Sequence, residues 1–118
     1  MNMEFYRKLP IPKDVKAQFP LDAASEKVLA ERVNSLKEVF AGESDKFVLI
    51  IGPCSADRED SVMDYIYRLK KVQAQVEDKL ILIPRIYTNK PRTTGEGYKG
   101  LLHQPDPEQA SDLLEGVI

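Results

Sequence analysis

Two segments of the 118-residue chain concentrate side chains that could do chemistry. The first reads Gly52-Pro53-Cys54-Ser55-Ala56-Asp57 and follows a short apolar run. The thiol of Cys54 could bind a metal ion as the thiolate, an anion that the N-terminus of a following helix would stabilise. Because a lone cysteine is often a small core residue, burial of Cys54 is the competing interpretation.

The second segment, RIYTNKPRTTGEGYKG, runs from Arg85 to Gly100. Its guanidinium, ammonium, hydroxyl and glycine-exposed amide groups together suit phosphate and carboxylate ligands. Residues 79–103 hold five basic side chains and one acidic one, although the whole chain has a net charge of −2. This local excess favours an anion site, whereas a charged loop that only faces solvent is the alternative. Neither segment has the order of strand, glycines and helix that a P-loop or a dinucleotide fingerprint requires.

Apolar runs before each segment predict the strands that would position them. The unbroken run 47–51 predicts a strand covered on both faces, as in a parallel sheet. The run 80–86 predicts a second strand, although Pro84 cannot donate a ladder hydrogen bond. A strand, a helix and a strand in succession form a parallel unit, and α/β folds carry their ligand sites at the carboxyl ends of such strands.

A helix between the two strands is predicted from apolar residues along one side of residues 62–76. Asp60 or Ser61 would begin it, with Ser61 and Asp64 in a pattern like a capping box. After the second strand, residues 87–107 hold several glycines and prolines and read as a long loop. A further helix is expected to begin at Glu108.

The first part of the chain divides into an arm and a helix. Residues 1–21 contain three prolines and little periodicity, so we expect an extended arm with turns. Residues 22–41 carry an amphipathic pattern that predicts a helix packed on the rest of the protein. Asp22 or Ser25 would cap its first amides, and Gly42 would end it.

Composition excludes several classes of protein. With 42% hydrophobic and 31% charged residues, the chain is typical of a soluble globular protein. A single cysteine permits no internal disulfide, and a single histidine makes an all-protein zinc cluster hard to build. No apolar run could cross a bilayer and no secretory h-region opens the chain, so we expect a cytoplasmic protein with no membrane role. The near-neutral net charge argues against general binding of nucleic acid.

Two blocks, FVLIIGPCSAD at residues 47–57 and PRIYTNKPRTTGEGYKGLLHQPDP at residues 84–107, closely resemble the first third of the class I 3-deoxy-D-arabino-heptulosonate 7-phosphate (DAHP) synthases. The resemblance implies a condensation of phosphoenolpyruvate with erythrose 4-phosphate, the first step of the shikimate route to aromatic amino acids. It also implies an α/β fold. Residues 1–45 would form an N-terminal helical extension, and residues 46–118 would form the first β-α-β unit of a TIM (β/α)8 barrel that stays incomplete in this chain.

The same resemblance implies roles for individual residues. Cys54 would be a ligand of a divalent metal ion, a cofactor expected only in the complete barrel. Arg85 and Lys90 would be catalytic residues that lie against the phosphoenolpyruvate anion. The KPRT block of Lys90, Pro91, Arg92 and Thr93 would bind substrate, with Arg92 and Thr93 on the phosphate of the sugar. These roles agree with the charges, because a basic site must neutralise two anionic substrates before they can approach each other.

The chain departs from the family pattern in length. It supplies two predicted strands of the eight that a TIM barrel needs, and it lacks the other metal ligands that the family implies. We therefore predict that the chain is a truncated piece and that it is inactive by itself. Residues 94–99 are also one residue longer than in the best-known enteric pattern, and Pro84 stands where a plain apolar residue is common.

Other functions remain open at this point. A non-catalytic oligomerising or regulatory module could retain the anion-binding loop, and we expect a homo-oligomer in either case because apolar helix faces stay uncovered. A synthase for a different sugar phosphate is a lesser alternative, which the KPRTT sequence disfavours. Phe5 and Tyr6 in the arm could serve an effector site, although such arms more often only pack or stay disordered.

Overall fold

The structure, a computed structural model, describes residues 7–110 and 112–118, and the effector-site hypothesis on Phe5 and Tyr6 lies outside them. Its six elements are α1 (Pro12–Gln18), α2 (Ala23–Ala41), β1 (Phe47–Ile51), α3 (Glu59–Val76), β2 (Leu80–Pro84) and α4 (Leu113–Val117). The chain is thus an α/β protein whose strands are separated by the long helix α3. The predicted succession of strand, helix and strand is confirmed.

Strands β1 and β2 pair in parallel, in a register that runs from Phe47 opposite Leu80 to Ile51 opposite Pro84. The ladder continues one residue further, because the Arg85 amide donates to the Ile51 carbonyl at 2.9 Å. Backbone groups of successive strand residues face opposite edges, so the missing N–H of Pro84 lies on the edge away from β1. Pro84 therefore removes no hydrogen bond between the two strands.

A buried amide side chain occupies the other edge of β2. Gln73 of α3 is only 7% exposed, and its Oε1 accepts from the Leu82 amide at 2.7 Å. Its Nε2 donates to the Leu80 carbonyl at 3.0 Å, while Arg32 of α2 donates to Oε1 at 3.1 Å. One side chain thus connects α2, α3 and the outer edge of β2, and it satisfies edge groups that would otherwise lack a partner.

The beginning of the chain is more helical than the sequence indicated. The extended arm predicted for residues 1–21 is wrong for Pro12–Gln18, which form α1. Proline is favourable at the start of a helix because the first amides need no intrahelical acceptor, and Asp14 adds a stabilising charge in the first turn. For α2 the prediction is confirmed: Asp22 accepts from the Ser25 amide at 2.6 Å, and Gly42 ends the helix at φ 76°.

Three predicted boundaries need correction. Helix α3 begins at Glu59 rather than at Asp60 or Ser61, and the capping box is wrong because Ser61 Oγ donates to the Arg58 carbonyl inside the first turn. Strand β2 ends at Pro84 instead of residue 86. The last helix begins at Leu113 and not at Glu108, because the Asp112 carboxylate caps the amides of Leu114 and Glu115.

The core of the described chain is small. Its buried apolar side chains are Ala56, Ile81 and Leu82. The expectation that the first strand is covered on both faces is wrong within residues 7–110 and 112–118, because Phe47 is 67% and Ile50 64% exposed. Helix α2 likewise packs only in part, with Phe40 84% exposed.

Among the helices described, none combines the length and the apolar character that crossing a membrane requires. The predicted cytoplasmic location stays a prediction.

We predict that Gln73→Ala lowers the free energy of unfolding by about 1–3 kcal/mol, because it leaves the buried Leu82 amide without an acceptor. Chemical denaturation followed by circular dichroism measures this change. Gln75→Ala is the matched control, since Gln75 lies on the same helix and is exposed. Equal stability of the two variants would show that the Gln73 amide does not hold the strand edge.

Candidate functional site

The parallel register brings the ends of both strands to the same edge. Ile51 lies opposite Pro84, so the chain leaves β1 at Gly52 and leaves β2 at Arg85, side by side. A Cβ atom at Gly52 would overlap the Arg85 carbonyl oxygen, which explains why a glycine stands there. The segment 52–57 and the loop 85–100 therefore begin in direct contact. This meeting of the two segments is the arrangement that the sequence predicted.

Cys54 and Lys90 form the centre of the site. Lys90 Nζ lies 3.0 Å from Cys54 Sγ and donates to Ser55 Oγ at 2.9 Å. The competing interpretation of Cys54 as a buried core residue is wrong, because its side chain is exposed. An exposed thiol beside an ammonium group is the environment in which cysteine becomes nucleophilic or metal-binding.

The charge of Lys90 acts directly on the thiol. The pKa of Cys54 is lowered from its ordinary value, first by the hydrogen bond from Lys90, next by the positive charge of Lys90, and to a smaller extent by Ser55 and Arg85. A larger fraction of Cys54 is therefore thiolate at neutral pH than in a free cysteine. The thiolate is the form that coordinates metal ions.

Arg85 is held in place by groups that do not neutralise its positive charge. Its Nη1 donates to the Pro53 carbonyl at 2.8 Å, and its guanidinium lies 4.4 Å from the centroid of the Tyr87 ring. The carbonyl and the aromatic face orient the guanidinium without adding a negative charge. The other N–H groups of Arg85 can therefore serve an anionic ligand.

Arg92 is held in the same manner further along the loop. Its Nε and Nη2 donate to the Tyr98 carbonyl at 3.0 and 2.9 Å. Pro91 and Thr93, on either side of it, are exposed. In the part of the chain that the structure describes, the four ion pairs lie elsewhere, and neither Arg85, Lys90 nor Arg92 is paired with a carboxylate. The edge of the sheet thus keeps its positive charge.

The loop after β2 folds back on itself. The Lys90 amide donates to the Lys99 carbonyl at 2.8 Å, and the Leu102 amide donates to the Thr88 carbonyl at 3.0 Å. Gly100, at φ 99°, permits this return, since a Cβ atom there would overlap the Thr88 carbonyl. The loop is also tied to the first segment, because the Ala56 amide donates to the Tyr87 carbonyl at 3.1 Å.

The sequence did not indicate all residues of the site. Ser55 anchors Lys90, and Tyr98 contacts both Arg92 and the first segment, yet neither was assigned a role. Ser55 follows Cys54 directly in the GPCS sequence, which is the signal that could have found it, whereas Tyr98 lies five positions beyond Thr93 and had no such signal. His103, also without a predicted role, lies 3.0 Å from Asn89 Oδ1 through its Nε2 atom.

The metal prediction is tested by the donor set. Cys54 fits as one ligand because it is exposed and the pKa of its thiol is lowered, chiefly by Lys90. Within residues 7–110 and 112–118, however, no three His, Cys, Asp or Glu side chains come together as a metal site would require. Catalytic zinc sites, for comparison, use about three protein ligands. The described residues therefore do not form a complete metal centre around Cys54.

The fold and the site define a parallel α/β protein in which basic side chains and a thiol lie together at the carboxyl edge of the strands. The chain belongs to the DAHP synthetase I family, whose family model matches residues 15–117. The resemblance that the sequence suggested is confirmed.

Three relatives illustrate the similarity, each called a phospho-2-dehydro-3-deoxyheptonate aldolase. The Tyr-sensitive protein of Escherichia coli is 35% identical over 109 residues, which are 92% of this chain and 30% of that protein. The protein of Amycolatopsis methanolica is 38% identical over 90% of this chain and 52% of its own length. The phenylalanine-inhibited protein of Saccharomyces cerevisiae is 33% identical over 95% of this chain and 30% of that protein.

A solved structure shows the same fold. The phospho-2-dehydro-3-deoxyheptonate aldolase of Francisella tularensis superposes with a TM-score of 0.85 at 23% identity, over 98% of this chain and 34% of that one. The present chain therefore spans about a third of the length of this protein and of the E. coli and yeast relatives.

We predict that Lys90→Gln shifts the pH midpoint of Cys54 alkylation upwards, because Lys90 is the main cause of the lowered thiol pKa. The rate of reaction with iodoacetamide, measured against pH, reports the thiolate fraction of the single cysteine. Lys99→Gln removes an equal charge from the same loop and is expected to leave the midpoint nearly unchanged. Equal midpoints for the wild-type chain and Lys90→Gln would contradict the contact between Lys90 and Cys54.

Proposed function

We propose that this chain is the amino-terminal part of a DAHP synthase that condenses phosphoenolpyruvate with erythrose 4-phosphate on the route to aromatic amino acids. Residues 1–45 would be an extension, and residues 46–118 would be the first units of a TIM barrel. The observation that supports the proposal most is the meeting of Cys54, Lys90 and Arg85 at the carboxyl edge of two parallel strands. Ligand sites of α/β barrels lie at this edge.

In this proposal Arg85 and Lys90 bind phosphoenolpyruvate and act as the catalytic residues of this chain. Arg85 is oriented by the Pro53 carbonyl and the Tyr87 ring, and Lys90 by Ser55, so both present positive charge from fixed positions. A carboxylate and a phosphate on one small molecule need such a pair of cations. Because the cations are already oriented, little reorganisation is needed when charge develops in the reaction.

The sugar phosphate is assigned to the next residues of the loop. Arg92 keeps free N–H groups beyond the two that the Tyr98 carbonyl accepts, and the Thr93 hydroxyl follows it in an exposed position. Pro91 has a fixed φ angle, which restricts the direction from Lys90 to Arg92. The two anion positions would therefore be adjacent, as a condensation of two phosphorylated substrates requires.

Cys54 is proposed as one ligand of a divalent metal ion, held as thiolate by the nearby charge of Lys90. When bound, such an ion would supply a Lewis acid that polarises a carbonyl or activates water. The other ligands would come from residues outside this chain. Since one thiolate is a small part of a catalytic donor set, we propose that the 118-residue chain by itself is inactive.

We predict that phosphate release from phosphoenolpyruvate is absent with this chain alone and appears when the chain is joined to the remaining two-thirds of the E. coli relative. A coupled phosphate-release assay, with each substrate omitted in turn, measures this. In the chimera, Arg92→Ala should raise the KM for erythrose 4-phosphate about tenfold or more, through loss of charged hydrogen bonds to phosphate. Arg58→Ala, which removes an exposed arginine paired with Asp60, is the control.

Turnover by the isolated chain would contradict its proposed inactivity. A chimera that melts cooperatively but releases no phosphate would contradict the proposed reaction. A chimera in which Arg92→Ala behaves like Arg58→Ala would remove Arg92 from the sugar-phosphate site.

A second candidate function is a non-catalytic oligomerising or regulatory module, which the uncovered apolar surface of α2 favours. Phe40, Val28 and Leu29 are all more than half exposed on this helix. Exposed apolar area of this kind often marks a protein interface. A homo-oligomer is compatible with this function and with the synthase.

If α2 forms such an interface, Phe40→Glu shifts the chain towards monomer because it puts a charge into the apolar contact. Sedimentation velocity over a range of concentrations measures the shift. Phe19→Glu places the same change just after α1 and should leave association unaltered. Persistent self-association combined with an inactive, folded chimera would favour the module over the synthase, whereas a monomeric wild-type chain would contradict it.

A further inference from the structure

Tyr98 joins the two segments that form the site, although no role in the proposed reaction accounts for it. It is half-buried in the loop after β2. Its phenol oxygen lies 3.1 Å from the Asp57 carbonyl oxygen and 3.0 Å from that of Gln104, with the Ala56 carbonyl oxygen at 3.4 Å. Ala56 and Asp57 belong to the segment 52–57 that carries Cys54, which we call the cysteine segment. The Tyr98 hydroxyl therefore connects the loop 85–100 to the cysteine segment.

The backbone of the same residue holds Arg92. Both Nε and Nη2 of Arg92 donate to the Tyr98 carbonyl, at 3.0 and 2.9 Å. Two hydrogen bonds to one acceptor fix the plane of a guanidinium group and leave its other N–H groups directed elsewhere. Tyr98 therefore contacts Arg92 through its carbonyl and the cysteine segment through its side chain.

The turn that brings Tyr98 back depends on three glycines. Gly95, Gly97 and Gly100 have φ angles of 74°, 87° and 99°, which side chains of L-residues rarely adopt. The Gly97 Cα also lies against the Arg92 side chain, where an added Cβ atom would be 3.7 Å from the guanidinium carbon. The sequence GEGYKG thus shapes the loop so that one tyrosine can reach both partners.

We propose that Tyr98 is a positioning residue of the anion site, whose hydroxyl fastens the Arg92 loop to the cysteine segment and whose carbonyl orients the Arg92 guanidinium. The chemical class of the anion, a phosphate monoester, rests on the proposed function, whereas the positioning does not. The phenol O–H is a single hydrogen-bond donor. Removal of the hydroxyl would leave the carbonyls of Asp57 and Gln104 without this donor. Burial, and to a smaller extent the Asp57 carboxylate, raise the pKa of Tyr98 above the ordinary tyrosine value, so the hydroxyl keeps its proton at neutral pH.

Two readouts on the 118-residue chain test the proposal without needing turnover. Inorganic phosphate is titrated while the Nε–H signal of Arg92 is followed by NMR, and the alkylation rate of Cys54 is measured at fixed pH. Tyr98→Phe should weaken phosphate binding about fivefold, the effect of one neutral hydrogen bond, and should change the alkylation rate. Tyr67→Phe, the same change at an exposed tyrosine of α3, should alter neither.

Two further variants distinguish the positioning of Arg92 from a general loss of stability. Tyr98→Trp supplies an indole N–H in place of the hydroxyl and should recover part of the phosphate affinity. Gln73→Ala destabilises the strand edge without touching the loop. If Gln73→Ala reproduces both effects of Tyr98→Phe, the tyrosine acts only through stability and the proposal is overturned.

The outcomes distinguish this inference from the proposed function. If Tyr98→Phe matches Tyr67→Phe in both readouts, the positioning role is wrong whatever the anion is. If the wild-type chain binds no phosphate but only Tyr98→Phe changes the Arg92 signal and the alkylation rate, the positioning role stands and the phosphate assignment fails. Should Tyr98→Phe not fold, the wild-type chain still decides, because burial must raise the pKa of the Tyr98 phenol above the ordinary tyrosine value; titration of Tyr98 at the ordinary value would overturn the inference.

Discussion

Parallel pairing of β1 with β2 is the constraint on which the rest of the site depends. Because Ile51 lies opposite Pro84, both strands end at the same level and the chain turns away from the sheet at two adjacent points. Gly52 permits the close passage past the Arg85 carbonyl. A shift of the register would separate Cys54 from Lys90, which are 36 positions apart in sequence and 3.0 Å apart in space. The chemistry of the edge is therefore a consequence of strand alignment.

The cations at this edge are oriented mainly by neutral groups. Arg85 and Arg92 each donate to a backbone carbonyl, and Lys90 donates to a hydroxyl while it lies beside a thiol. Pairing with carboxylates would have held these side chains equally well, but it would have neutralised the charge. Holding a guanidinium by a carbonyl keeps its charge available, which is the arrangement that a site for anionic substrates needs. The thiolate form of Cys54 offsets part of the charge.

The small core leaves part of the contact between elements to directed hydrogen bonds. Strand β1 leaves Phe47 and Ile50 exposed, so the two strands bury little area against the helices. Gln73, Tyr98 and the glycine turns of the loop replace part of this missing packing with directed hydrogen bonds. Such bonds position groups accurately but contribute less stability than a complete apolar core.

The sequence by itself determined the elements whose signals are local. The apolar run 47–51 became β1 at the predicted residues, and α2 begins at its Asp22 cap and ends at Gly42, because strand patterns and caps involve neighbouring residues. The family blocks also directed attention to Cys54, Lys90 and Arg85, which the structure brings to one edge of the sheet. Helix α1 was missed because prolines mark turns as often as helix starts, and only the surrounding chain decides which.

Only the tertiary structure decided the contacts between residues distant in sequence. Whether Cys54 is buried or exposed, which hydroxyl anchors Lys90 and which carbonyl orients Arg92 all depend on how two loops meet in space. Tyr98 and Ser55 carry no pattern that marks them, since a hydroxyl acquires a role only from the partner it reaches. The sequence did indicate that apolar helix faces stay uncovered, but it did not reveal the exposed face of β1, because an apolar run shows that a strand needs cover and not whether the chain provides it.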